Sequence, residues 1–159
     1  MQNQLTKGVD YTGVCVVYFC HDGRGNFLMQ KRGKNARDEQ GKWDIGAGAL
    51  EFGTSVEETL KKEMKEEYCA DVLSFEFLGF RDVHREIQLD ADLRISVDPL
   101  RKKTHWIGLD FKVLVDPKKV KNGEPHKFEE VKWFTVENFP ESVHSQAPIF
   151  FEKYKDELK

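Results

Sequence analysis

The stretch Gly46-Ala47-Gly48-Ala49-Leu50-Glu51-Phe52-Gly53-Thr54-Ser55-Val56-Glu57-Glu58-Thr59-Leu60-Lys61-Lys62-Glu63-Met64-Lys65-Glu66-Glu67-Tyr68-Cys69-Ala70 reads as a glycine-rich loop running straight into a helix. Ser55 with Glu58 three residues later is a capping-box pattern, so Ser55 is the expected N-cap. Glu57 and Glu58 fall in the first turn, where the helix dipole favours acids. Each has a lysine four residues on, Lys61 and Lys62, in the favourable orientation. Val56, Thr59, Leu60 and Met64 supply an apolar stripe. Beside it, Glu63, Glu66 and Glu67 share one face through spacings of three and four. Like charges that close repel by roughly a few tenths of a kcal/mol per pair, and a helix that only needed solubility would disperse them. Hard oxygen ligands beside a loop whose glycines admit close backbone approach suit Mg²⁺, with Mn²⁺ as the alternative. The plain alternative is a solvated charged helix face. The glycines before it weigh against that.

Outward from this helix, strand patterns dominate. Val14–Phe19 is β-branched and aromatic, a buried strand. His21–Asn26 is a turn with Asp22-Gly23 as its hairpin signal, and Phe27–Lys31 returns as the partner strand. Residues 33–41 are a polar loop. Asp71–Arg85 reads as one long or bent strand, and Thr104–Val115 as another. Residues 86–103 fit either a hairpin extension or a loop. Val131–Thr135 is a late strand. Val136-Glu137-Asn138-Phe139-Pro140 suggests a short helix stopped by proline. Ile149, Phe150, Tyr154 and Leu158 recur at helical spacing, so a C-terminal helix over Ile149–Leu158 should lay its apolar side on the sheet.

The chain has 159 residues, enough for one core and no need of a second, so residues 1–159 are expected to form a single domain. A net charge of −3 argues against a surface that coats nucleic acid. Three cysteines without a CxxC pair imply buried free thiols and a cytoplasmic setting, and no zinc site is expected from them. No long apolar run suggests a signal peptide or a membrane span. Lys155-Asp156-Glu157-Leu158 spells a retention signal, but Lys159 follows it, so the match reads as chance. His84, His105 and His126 have no ligand spacing and read as structural. The three tryptophans read as core rather than stacking platforms.

The stretch also resembles the Nudix box, whose pattern is Gly, five residues, Glu, seven residues, then Arg-Glu-aliphatic-any-Glu-Glu-any-Gly-aliphatic. Aligned from Gly48, the matches are Gly48, Glu63, Met64, Glu66 and Glu67. The departures are Thr54 for the first glutamate, Lys62 for the arginine, Cys69 for the late glycine and Ala70 for the closing aliphatic. Trp43-Asp44-Ile45, Phe27–Arg32 and Glu129-Glu130-Val131-Lys132-Trp133-Phe134 are similar to the family's flanking parts, so the resemblance spans roughly residues 12–140.

It implies an α/β fold, an α/β/α sandwich around a mixed curved sheet, with the Glu-rich helix on one face and the C-terminal helix on the other. It implies metal ligation by Glu63, Glu66 and Glu67, with a backbone carbonyl from Ala47 or Gly48. It also implies a distal acid, Glu130 first, with Glu129 or Glu124 as alternatives. Glu63 is ligand or general base, and Lys62 orients the neighbouring carboxylate more weakly than an arginine would. Arg32, Glu51 and Glu129 are candidate substrate contacts. Arg32 either meets a phosphate or caps its strand, and Glu51 is either an outer metal ligand or a loop acid.

The leading reading is a Mg²⁺-dependent hydrolase that cuts the diphosphate of a nucleoside-diphosphate derivative, a small-molecule nucleotide-type substrate, by water attack on phosphorus. Thr54, Lys62 and Cys69 keep a second reading open, a nucleotide-binding or regulatory domain with feeble catalysis. Trp43-Asp44-Ile45-Gly46 also resembles a segment of isopentenyl-diphosphate-type isomerases, whose catalytic cysteine and histidine set have no evident counterparts here. No membrane partner is expected, and a homodimer is left open.

Overall fold

In the computed structural model, residues 4–36, 38–86 and 103–159 are described. The undecided segment 86–103 therefore lies, but for its two ends, outside the described residues. Seven strands form one sheet: β1 (Gly13–His21), β2 (Phe27–Arg32), β3 (Trp43–Asp44), β4 (Gly46–Ala49), β5 (Ser74–Glu86), β6 (Lys103–Leu114) and β7 (Phe128–Phe134). Helix α1 (Val56–Tyr68) follows β4, and α2 (Ala147–Lys153) closes the chain. The path β3-β2-β1-β6-β5 carries β4 on β1 and β7 on β2. β1 runs parallel to β6 and antiparallel to β2 and β4, so the sheet is mixed.

β1 reads as almost continuously apolar because both of its faces are covered. Successive side chains alternate across a strand. Val16, Tyr18 and Cys20 meet Leu60, Met64 and Tyr68 of α1, while Val17 and Phe19 meet Phe150 and Tyr154 at α2. The two helices therefore lie on opposite faces, giving an α/β sandwich.

Three local expectations change. Gly46–Ala49 is a strand rather than a loop, paired with β1 in the register Val16↔Gly48 and Tyr18↔Gly46. Its glycines serve packing, since a Cβ on Gly46 would sit 1.9 Å from the Tyr18 ring. Val136–Pro140 forms a turn, not a helix, because the Asn138 side chain captures the Thr135 N–H and hydroxyl. α2 ends at Lys153, and Ile149 faces solvent while Phe150 takes the buried position. The long strand expected over Asp71–Arg85 is one element, β5 (Ser74–Glu86), with a register shift between Phe77 and Gly79.

Candidate active site

Helix α1 starts as local chemistry dictates. Ser55 Oγ accepts from the Glu58 N–H at 3.1 Å, and Glu58 Oε2 accepts from the Ser55 N–H at 2.9 Å. With this start, the helix buries Leu60, Met64 and Tyr68 and carries its three late glutamates to the edge of β4. Glu63 packs against Gly48, where an added Cβ would fall 2.2 Å from the Glu63 carboxyl carbon. Only glycine leaves room for that carboxylate.

The three glutamates differ in environment. Glu67 is buried, accepts a hydrogen bond from the Tyr18 hydroxyl and lies 3.5 Å from Gln30 Nε2. Burial pushes its carboxyl well above the usual range, and the charges of Glu63 and Glu124 add to the rise against the Tyr18 hydrogen bond. Glu63 is half-buried, and its carboxyl is raised by burial first and by Glu66 and Glu124 after it. Glu66 is exposed, with Lys62 Nζ 3.9 Å away. At that distance Lys62 holds it loosely.

A loop after β6 completes the group. The Gly123 N–H donates to the Glu67 carbonyl at 2.9 Å, and a Cβ on Gly123 would sit 2.0 Å from the Glu66 carbonyl oxygen. This close docking brings Glu124 beside α1, where Lys127 pairs with it at 3.1 Å. The charge of Glu124 thus acts on both Glu63 and Glu67. Residues 129 and 130 belong to β7 rather than to a loop; Glu130 is exposed opposite Lys31, and Glu129 lies 3.8 Å from Lys31 Nζ. Glu51 is exposed and paired with Lys7 at 3.0 Å.

A cavity of about 310 Å³ opens on the α2 face. Ala47 lines it while the next residue, Gly48, faces Glu63, so two neighbours on β4 join cavity and carboxylates. Arg32 stands in its wall, held by Asp38 at 2.7 Å and 3.7 Å from Asp44. Arg81 of β5 is clamped by Asp110 through Nε at 2.7 Å and Nη2 at 2.9 Å, while its Nη1 is buried without a partner. Tyr154 Oη also donates to Asp110, at 2.7 Å. Glu39, His144 and Arg85 form a further polar cluster, with Glu39 Oε2 2.8 Å from His144 Nε2 and 2.7 Å from Arg85.

The donor chemistry at α1 fits a hard divalent cation: four carboxylates gather there, and Glu63 and Glu67 are pushed towards protonation by burial first and by neighbouring acids after it. Among the described residues, two groups of three have one donor atom from each residue within 4.8 Å of the others, Asp82/His84/His105 and Asp38/Glu39/His144, and neither includes an α1 glutamate.

The model of the NUDIX domain matches residues 11–154. The chain belongs to the Nudix family. This Nudix chain is similar in structure to a MutT NUDIX hydrolase from Burkholderia pseudomallei, at 21% identity over 90% of this chain and 98% of that one, with a TM-score of 0.69. It is also similar to a MutT protein from Methanosarcina mazei Go1, at 24% identity over 93% and 96% with a TM-score of 0.65. A MutT studied from Aliivibrio salmonicida and Vibrio cholerae aligns at 16% identity over 91% and 98%, with a TM-score of 0.58. No curated protein matches. These likenesses establish the fold. Family membership makes the chain a Nudix-type pyrophosphohydrolase, and Nudix hydrolases in general act on nucleoside-diphosphate derivatives and use a divalent metal. Among the described residues no helix is long and apolar enough to cross a membrane.

Several residues of this Nudix site escaped the sequence reading. Tyr18 and Gln30 look like ordinary strand residues, and nothing local marks them as partners of Glu67. Asp110 carried a signal: it is an acid in the largely apolar run Trp106–Leu114, and such charges are buried only when paired.

Proposed function

We propose that this Nudix protein is a Mg²⁺-dependent hydrolase of a nucleoside-diphosphate derivative, working in the cytoplasm. The observation that carries the reading is the gathering of Glu63, Glu66, Glu67 and Glu124 beside Gly48, with the Glu63 and Glu67 carboxyls raised by burial first and by neighbouring acids after it. These four acids and the Gly48 carbonyl are the groups that would hold the cation. When bound, the cation neutralises phosphate charge and acidifies water. Glu63, half-buried and raised above the usual carboxyl range, is suited to accept the proton of the attacking water. The water oxygen bonds to phosphorus as the bridging P–O bond breaks, and its electron pair leaves with the departing phosphate. Arg32, held at the cavity wall by Asp38, is placed to orient the phosphate chain. The nucleoside half enters the cavity on the α2 face.

Mg²⁺- and Mn²⁺-stimulated product release should be measured on nucleotide sugars, dinucleoside polyphosphates, nucleoside triphosphates and oxidised nucleoside triphosphates. Cleavage of at least one class, lost in Glu63→Gln, supports the reading. A second reading, a nucleotide-binding domain with feeble catalysis, is favoured by the loose 3.9 Å Lys62–Glu66 contact. Lys62→Arg with Thr54→Glu should raise turnover, because a guanidinium holds a carboxylate bidentately where an ammonium does not. Tight nucleotide binding without cleavage in the wild type, and unchanged turnover in the double variant, would select the second reading.

A further inference from the structure

β4 carries two glycines two residues apart, Gly46 and Gly48, and that spacing puts both on one face of the strand. Each admits one group of the α1 side. Gly48 leaves room for the Glu63 carboxylate, and Gly46 leaves room for the Tyr18 ring, since a Cβ there would fall 1.9 Å from Tyr18 Cε2. Tyr18 stands directly opposite Gly46 in the pairing of β1 with β4. Its side chain is fully buried and meets Tyr68 of α1 edge-on, with ring centroids 6.0 Å apart. Between β4 and Tyr68 the ring is fixed in place by packing.

The hydroxyl at the end of that ring donates to Glu67 Oε2. Gln30 of β2 is buried as well, and its Nε2 lies 3.5 Å from the same oxygen. Among the described residues, both side-chain donors to this carboxylate meet Oε2 and none meets Oε1. A buried carboxylate kept only for packing would place donors on both oxygens, because each has lone pairs to satisfy. Gln30 is also turned towards Glu67 although its own Oε1 is left buried without a partner. The lysine at the box's arginine position serves a different acid: Lys62 Nζ is 3.9 Å from Glu66.

We propose that Tyr18 and Gln30 are positioning residues for the divalent cation, holding Glu67 by Oε2 so that Oε1 is presented to the site it shares with Glu63. The inference rests on the reading of the α1 carboxylates as a cation site. A hydroxyl from β1 and an amide from β2 take over the orienting task that a guanidinium would otherwise perform. Gly46 belongs to the same arrangement, because a side chain there would displace the Tyr18 ring.

The test is titration of Mn²⁺ into the metal-free full-length chain without substrate, followed by the electron paramagnetic resonance of the free ion. Tyr18→Phe keeps the ring and removes the hydroxyl, and should weaken Mn²⁺ binding by about tenfold or more. Tyr68→Phe is the control: it also removes one buried hydroxyl, but one that has no hydrogen-bond partner, and should leave Mn²⁺ affinity unchanged. Gln30→Met, which keeps the length and loses the amide, should weaken binding by a smaller factor, and it decides the matter if Tyr18→Phe does not fold. All titrations are run below the melting temperature of each metal-free variant. A wild type that binds no Mn²⁺ would overturn the cation-site reading and this inference with it. Wild-type affinity in Tyr18→Phe and in Gln30→Met, or an equal loss in Tyr18→Phe and Tyr68→Phe, would overturn this inference alone.

Discussion

Asp44 Oδ2 and His144 Nδ1 lie 3.9 Å apart in the cavity wall, and burial moves their proton affinities in opposite directions. It raises the Asp44 carboxyl to about 7, against the opposing charge of Arg32. It lowers the His144 imidazole to about 4, against the opposing charge of Glu39. A neutral acid and a neutral base therefore share one wall over a wide range of pH.

Their effects on stability should cancel. Between the ordinary carboxyl value and about 7, folded Asp44 holds a proton that the unfolded chain lacks, so its contribution falls as pH rises. Between about 4 and 6.5, the unfolded chain protonates a histidine that folded His144 leaves neutral, so its contribution climbs. Each slope is at most about 1.4 kcal/mol per pH unit. Asp44→Asn should unmask a stability that rises with pH over this window, and His144→Gln one that falls. Urea unfolding midpoints across the window check both signs.

Glu66 and Glu67 should separate under substitution. Glu66 is exposed, so Glu66→Gln should leave metal-free stability within about 0.5 kcal/mol. Hydrolysis should fall more than tenfold, together with the Mg²⁺-induced rise in melting temperature. Glu67 is buried with its carboxyl raised, so ionising it opposes folding as pH rises. Glu67→Gln keeps an acceptor for Tyr18 and removes that charge. Its melting temperature should gain on the wild type from acid to alkaline pH while activity is lost. A variant that loses ground at alkaline pH would mean that the charged Tyr18 hydrogen bond outweighs desolvation.

Cys69 caps α1 in the left-handed region, with φ of 55°. The family's glycine at this position reflects that geometry, because a side chain there crowds the following carbonyl. Cys69→Gly should therefore stabilise the chain by about 0.5–1 kcal/mol, the left-handed relief being partly offset by glycine's greater unfolded entropy. Chemical denaturation measures the difference.

The Arg81–Asp110 pair should show strong non-additivity. Removing either partner leaves a buried charge, at a cost of about 3–5 kcal/mol. Arg81→Met with Asp110→Leu removes both charges and should lose less than the sum of the single changes. A double-mutant cycle by urea denaturation reads the coupling.

What the sequence alone determined lies within a few residues of itself. The Ser55–Glu58 capping box, the common face of Glu63, Glu66 and Glu67, the strand β1 and its hairpin to β2 all follow from short-range hydrogen bonds and side-chain periodicity. Tertiary structure decided the rest. Gly46–Ala49 becomes a strand because β1 offers it a partner and the Tyr18 ring leaves room only for a glycine. Glu124 comes beside the α1 carboxylates because Gly123 docks on the last turn of the helix. Arg81 finds Asp110, and His84 finds His105, only through the register of β5 on β6. Register is set by how the whole sheet buries its two faces, and a shift of one residue would turn every one of those side chains to the other face.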